Sequence, residues 1–273
     1  MGYLIGAAVI AIVGLILWIV KGKKEGQSAA MELADTSKVS EVNELFESIS
    51  GSMGSGSFTH FCEIKGVAYT DNPLKSQLAE AEVVYYKSVV EHKYERLENK
   101  KDSNGNITKQ WVKHTDIVSE NEQWAQGWGV KDETGFIKID PGKAKLHTES
   151  LMSKFEQGEP QQSGLSVKIG GFSLGIGGGN NGHKTIGYNY REEGIKLNTE
   201  LYVLGDANDR DGALKVSKPQ DNKQPFIVST KSEDELVSGL GSSIKGLKIG
   251  AFVCWGLGAA LVVAGLLNIL GIF

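Results

Sequence analysis

The residues that could do chemistry are few, and most of them fail the spacing that their chemistry needs. The run GGFSLGIGGGNNGHKT, residues 170–185, invites comparison with a phosphate loop. From Gly177 to Thr185 it reads G-x-x-x-x-G-H-K-T, one residue longer than the P-loop pattern. The extra His183 moves Lys184 out of register with bound phosphates, and a strand rather than a helix is expected after it. A glycine-rich hairpin tip is the better reading, leaving a nucleotide enzyme or hidden hydrolase as the weakest functional class. Five histidines stand at positions 60, 92, 114, 147 and 183, and only His60 has a close cysteine, Cys62. No second pair completes a four-ligand zinc set, so both read as ordinary strand residues. Glu192-Glu193 beside Arg191 reads as a solvated strand end rather than an acid–base pair. No nucleophile–histidine–acid arrangement is recognisable. Trp111, Trp124 and Trp128 suit a groove, but core or interfacial packing is the commoner use of such side chains. Neither a catalytic residue nor a cofactor is expected.

The elements that would position these residues lie between two uncharged ends. Every charged side chain falls between Lys21 and Lys248, so the net charge of −4 belongs to the middle of the 273 residues. That mild acidity gives no basic footprint for nucleic acid. With only Cys62 and Cys254, the latter inside an apolar run, a disulfide scaffold is excluded.

Residues 1–20 are apolar and are followed at once by Lys21, Lys23 and Lys24. At ~1.5 Å per residue the run spans ~30 Å, a hydrocarbon thickness. A cleaved signal peptide would carry its basic residues before the apolar run, so an uncleaved anchor is the preferred reading. Residues 249–273 form a second span, preceded by Lys245 and Lys248, with Asn268 as its polar residue. Both lysine clusters flank the middle segment, and the positive-inside tendency then puts that segment on the cytoplasmic or equivalent side. Gly256, Ala260 and Ala264 recur every four residues, a spacing that lets helices approach closely in lipid. Their expected contact is the first helix, through Ala7 and Ala11, or another copy of the chain.

Between the anchors, residues 21–57 read as a polar linker plus one amphipathic helix. Val39, Val42, Leu45, Phe46 and Ile49 lie at helical spacing, Asp35, Thr36 and Ser37 are available as caps, and a flexible connector is expected over 51–57. Residues 58–231 read as strands. FCEIKGVAYT and EVVYYKSVVEHKYERLE are rich in β-branched and aromatic residues, and Ser103-Asn104-Gly105-Asn106 supplies a hairpin turn before ITKQWVKHTDIV. Shorter strands are expected at 135–139, 184–190, 201–204, 213–216 and 226–228. The whole is a membrane-anchored α+β chain whose mainly β soluble domain is a sandwich or partly open barrel. Ser232 and Glu235 fit a capping box, opening a helix over 232–248 that could run on into the second span; Gly239, Gly241 and Gly246 weaken it.

These segments resemble the GIDE family, the membrane-adjacent domain of MULAN-like membrane-anchored ubiquitin ligases. The resemblance begins at FCEIKGVAYTDNPLKSQ and passes through the triplet Glu91-His92-Lys93, then a strand containing Trp111. It continues at Gly135 to Ile139 with Asp140-Pro141, at Thr185 to Tyr188 with Gly187-Tyr188, and at Arg191-Glu192-Glu193. LYVLGDANDRDGALKV, with Gly205, and PFIVSTKSEDEL, with Ser229, precede the final helix. The resemblance implies a domain that faces substrates at a membrane, mitochondrial or plastid in a eukaryote and the inner membrane in a bacterium. It also implies a zinc-binding RING in members with ligase activity. A RING needs eight Cys/His ligands for two tetrahedral zinc ions, whereas this sequence holds two cysteines and five histidines. The expectation is therefore a non-catalytic binding or sensing module. The alternative is a membrane subunit of a ubiquitin-ligase system whose RING sits in another chain. The partners expected are the lipid bilayer and a protein, or a second copy met through the membrane helices.

Overall fold

The computed structural model describes residues 2–101, 103, 105–158 and 183–270. Its elements are α1 (Gly2–Glu32), α2 (Val39–Met53), β1 (Thr59–Tyr69), β2 (Leu74–Lys75), β3 (Glu82–Lys101), β4 (Ile107–Trp124), β5 (Gly129–Lys131) and β6 (Phe136–Ile139). There follow β7 (Lys145–His147), β8 (Glu149–Gln157), β9 (His183–Lys196), β10 (Glu200–Asn208), β11 (Lys215–Ser217), β12 (Ile227–Ser229) and α3 (Glu233–Ile269). The chain is a mainly β middle with a long apolar helix at each end.

Two compact units divide it. The first comprises residues 1–65, 140–146 and 202–273. Here α1 and α3 run past each other, each long and apolar enough to cross a bilayer. Only 11% and 17% of their most apolar stretches are buried. A soluble core helix would be mostly covered, so this outward apolar surface is what lipid would solvate. Their seam follows a seven-residue repeat: Ala7 and Gly14 on α1, and Ala251, Gly258 and Gly265 on α3, are the buried positions. A Cβ on Gly14 would lie 2.5 Å from the Trp255 indole nitrogen, and one on Gly258 3.6 Å from the Ala7 carbonyl. Trp18 closes the seam against Phe252 and Trp255, at centroid distances of 6.0 and 5.5 Å. Lys21 Nζ sits 4.4 Å from the Trp18 ring centroid, pairing aromatic and cation as at membrane interfaces.

Both helices extend beyond their apolar stretches. α1 continues unbroken through its lysines to Glu32, helped by the i,i+4 pair Lys21–Glu25, where a polar linker was expected. α3 starts at the expected box: Glu235 N–H donates to Ser232 Oγ (3.3 Å), and Ser232 N–H donates to the Glu235 carboxylate (2.9 Å). It then runs as one helix of 37 residues, and Gly239, Gly241 and Gly246 introduce no break. Met31 of α1, Leu236 and Leu240 of α3, Tyr202 and Leu204 of β10 and Ile227 of β12 form one buried cluster. Each such side chain contributes roughly 1.5–3 kcal/mol on leaving water. The strands of this unit are thus packed directly onto the two apolar helices.

α2 forms where the apolar spacing places it, with Val39 and Val42 fully buried, and extends to Met53. Its N-terminal turn is closed by Glu41, which accepts from Lys38 N–H at 2.8 Å. Asp35, Thr36 and Ser37 serve elsewhere. Ser37 N–H donates to the Glu63 carbonyl (2.8 Å), Glu63 N–H donates to the Asp35 carbonyl (3.1 Å), and Thr36 forms a parallel bridge with Glu63. The β1 backbone at Glu63 captured groups that local reading assigned to a helix cap.

The second unit comprises residues 66–139 and 147–201. β3 is its centre. It pairs antiparallel with β4 from Tyr85↔Trp124 to Lys101↔Ile107, and with β9 from Val83↔Lys196 to Arg96↔His183. β8 adds to the other side of β9, and β2 to the start of β3. The β3–β4 turn falls where Asn-Gly was expected, with Gly105 at φ +90°. β5 joins the end of β1 to β6 in a short meander. β2, β5, β7 and β8 carry no sequence signal strong enough to have been expected.

Candidate functional site

The triplet at 91–93 sits at mid-strand in β3, so its side chains alternate between the two sheet faces. Glu91 accepts from Asn189 Nδ2 at 3.0 Å and pairs with the Arg191 guanidinium, both on β9. Lys93, on the same face, holds its ammonium 5.6 Å from the Phe155 ring of β8. Opposite Lys93 on β9 is Gly187, where a Cβ would be 2.2 Å from the Glu156 carbonyl. Only glycine lets β8 lie that close.

His92 looks to the other face. Its ring stacks on Tyr188 (4.7 Å, 13°) and on Tyr94 (5.0 Å, 26°), and Nε2 is 3.1 Å from Thr185 Oγ1. Tyr94 donates its hydroxyl to Asp116 (2.8 Å) and stacks on His114 of β4, whose Nε2 is 3.0 Å from Glu98. A buried cluster of Val90, Tyr188 and Tyr190 continues this face. Desolvation, with Glu156 nearby, pushes the Tyr190 phenol up to about 12. The arrangement can stack, hydrogen-bond and hold strands in register. It presents no activated nucleophile.

Glu192 is the largest departure from the sequence reading. It is 2% exposed, not a solvated strand end. Its carboxylate accepts from the backbone N–H groups of Leu78 (2.9 Å) and Ala79 (2.7 Å), fastening the loop between β2 and β3 to β9. Glu193 behaves as expected, exposed and bonded to Thr148 (3.2 Å). Strand alternation separates the two roles.

In the first unit, β10 ends in a turn built from buried polar groups. Asp209, fully buried, accepts from Gly56 N–H (2.7 Å) and Phe58 N–H (2.9 Å), pinning the chain that enters β1. Arg210 pairs with Asp206 at 2.5 Å, and Asn208 donates to Ser217 Oγ at 2.8 Å. Asp140 accepts from Lys215 (2.9 Å), and that ammonium, with Gly142 N–H, holds its carboxyl below the usual carboxylate range. Pro141 opens the turn closed by Ala144 N–H on its carbonyl at 2.9 Å. Gly205 lies against the Phe226 ring, where a Cβ would be 2.8 Å away. Ser229 is buried and both donates to the Lys231 carbonyl and accepts from its N–H. Lys65 bridges Glu63 (2.8 Å) to Glu233 in the first turn of α3 (2.9 Å).

Cys62 is fully buried on β1, and desolvation pushes its thiol up to about 12. A thiol held protonated is a poor nucleophile. Among the described residues no group of three or more metal-type side chains converges. Trp124 stacks on buried Trp128 (5.0 Å) and on Tyr85 (4.0 Å), whereas Trp111 stands apart and exposed. The three tryptophans therefore do not line one groove. Lys184 and Thr185 lie in the strand β9, not in a loop that opens a helix; residues 170–182 of the glycine-rich run lie outside the described residues. Gly256 and Ala260 are exposed, Ala264 is half-buried and Ala11 is exposed. The intramolecular seam uses Gly258 and Gly265 instead. Sequence reading missed Glu63, Asp206 and Asp209; the Thr36 hydroxyl that donates to the Glu63 carboxylate (2.8 Å) and the Gly56 and Phe58 N–H groups that donate to Asp209 are remote from them in the chain.

No solved structure matches the chain. It is similar to the E3 ubiquitin-protein ligase SPL1 of Arabidopsis thaliana, 26% identical over 155 residues, which is 56% of this chain and 42% of that relative. The chain thus spans less than half the length of the relative it matches. The family model described as GIDE, E3 ubiquitin ligase, matches residues 95–264, from the middle of β3 into the second apolar helix. That is more than half of the sequence, and the chain belongs to the GIDE family.

Proposed function

We propose that this chain is the membrane-held, non-catalytic half of a ubiquitin-ligase system, a module that binds or senses a protein at the bilayer surface. The observation that carries the reading is the extent of the family match. It does not stop at the edge of the β-rich region but continues to residue 264, within α3. Domain and membrane helix are therefore one family unit, consistent with the shared core of Met31, Leu204, Leu236 and Leu240. The relative's printed name is that of a ubiquitin ligase. Within these 273 residues the two cysteines and five histidines fall short of the eight ligands of a RING. Recruitment of a ubiquitin-charged enzyme then falls to a RING outside these residues, and this module selects what lies near it. The lysines at 21–24 and 245–248 support a cytoplasmic or equivalent side for the β-rich region.

Reconstituted ubiquitin transfer tests this. The full chain in liposomes, given activating and conjugating enzymes, is expected to transfer nothing alone and to direct transfer to membrane neighbours when a RING-bearing partner chain is added. Transfer by this chain alone overturns the reading.

A further inference from the structure

In the second unit every large exposed apolar side chain among the described residues stands on one face of one sheet. They are Leu97, Ile107, Trp111, Ile117 and Phe155, between 40% and 69% exposed. The register places them together. Leu97 lies opposite Trp111, Lys101 opposite Ile107 and Glu91 opposite Ile117. Phe155 lies opposite Asn189, itself opposite Glu91. The charged positions between carry five lysines, Lys93 and Lys101 on β3, Lys109 and Lys113 on β4 and Lys184 on β9, against two acids, Glu91 and Glu95, the latter opposite both Lys113 and Lys184. Glu91, the acid nearest Phe155, is already engaged by Arg191 and Asn189.

We propose that this Trp111–Leu97–Lys113 face of β3 and β4 docks on an anionic lipid surface. Lysines draw the face to negative headgroups, while an indole and aliphatic side chains enter the headgroup layer, where a ring that is apolar with one N–H finds both partners. On such docking lysine stems can lie along apolar side chains while their ammonium groups stay in water. An acidic protein shares the charge complementarity. The bilayer is favoured because the exposed Trp111, with Lys109 and Lys113 on either side of it along β4, is the indole-and-cation pairing of membrane interfaces. The inference is independent of ubiquitin transfer and goes beyond the proposed function.

The test uses the full chain in phosphatidylcholine nanodiscs, mixed with vesicles of phosphatidylcholine with or without phosphatidylserine. Binding is expected only with phosphatidylserine, weakening as salt is raised. Brominated lipid in those vesicles is expected to quench a component of the fluorescence that Trp111→Phe abolishes. Lys109→Glu with Lys113→Glu is expected to lower partitioning at least about 25-fold, since each lysine near an anionic surface contributes about five-fold. Ile107→Ser, which tests the apolar contribution without changing charge, also weakens it. Lys154→Glu, on the opposite face, leaves it unchanged. Far-UV circular dichroism confirms that each variant is folded. Equal binding to neutral vesicles, no binding to either, an unquenched Trp111, or charge-dependent capture of an acidic protein in place of lipid overturns the proposal.

Discussion

Replacing Glu192 with alanine removes the single acceptor shared by two backbone donors. The carboxylate is 2% exposed, and its oxygens receive Leu78 N–H at 2.9 Å and Ala79 N–H at 2.7 Å. Hydrogen bonds to charged groups contribute about 1.5–3 kcal/mol each. Leu78 and Ala79 are half-buried, so water recovers part of that, and a cavity adds to the loss. The balance is a destabilisation of about 3 kcal/mol. Glu192→Gln keeps one acceptor oxygen but points an N–H₂ at the second donor, for about 2 kcal/mol. The neighbouring Glu193→Ala, exposed and singly bonded, falls within about 0.5 kcal/mol. The measurement is urea unfolding of the full chain in detergent, followed by the β signal in far-UV circular dichroism. Amide exchange at Leu78 and Ala79 gives the local readout, and both protons are expected to lose protection in Glu192→Ala. Equal shifts for Glu192→Ala and Glu193→Ala, or retained protection at residues 78 and 79, would refute the anchoring role.

Leucine at Gly14, whose Cβ would meet the Trp255 indole at 2.5 Å, is expected to cost about 1–3 kcal/mol through overpacking. Leucine at exposed Gly256 is expected to leave thermal stability in detergent unchanged. In a Cys254→Ser background, Cys62 is expected to resist a thiol reagent at pH 8 until the protein is unfolded, because its pKa is pushed up to about 12; labelling at the rate of a free cysteine refutes this. Lys215→Met removes the ammonium that depresses the Asp140 pKa. A depressed carboxylate stabilises the fold above its unfolded pKa and loses that contribution as pH falls through its folded value. The parent is therefore more stable than Lys215→Met at neutral pH, and the difference shrinks once pH drops below the usual carboxylate range, as measured by melting temperature.

Local chemistry made much of this chain legible. The uncharged ends announce the two apolar helices because a hydrocarbon span needs an uninterrupted run, and a run is a property of sequence alone. Val39, Val42 and Phe46 announce α2 by spacing, Asn104-Gly105 the β3–β4 turn, and Ser232 with Glu235 the start of α3. In each case the groups that satisfy one another lie within a few residues.

What only the tertiary structure decided involves partners far apart in the chain. Asp35, Thr36 and Ser37 are good caps in isolation, yet β1 claims them through Glu63. Glu192 and Glu193 are adjacent and chemically alike, and the pleat sends one to a buried pair of amides and the other to water. Gly256, Ala260 and Ala264 have the right spacing for close packing, but the helix seam falls on Ala251, Gly258 and Gly265, because what Gly14 and Trp255 fit against fixes the rotation of α3. The sheet likewise gathers Trp111, Leu97 and Phe155 onto one face from three strands. A sequence states which side chains a segment carries. Which of them face a partner depends on register and rotation, and those are set by the summed fit of distant surfaces rather than by any one segment.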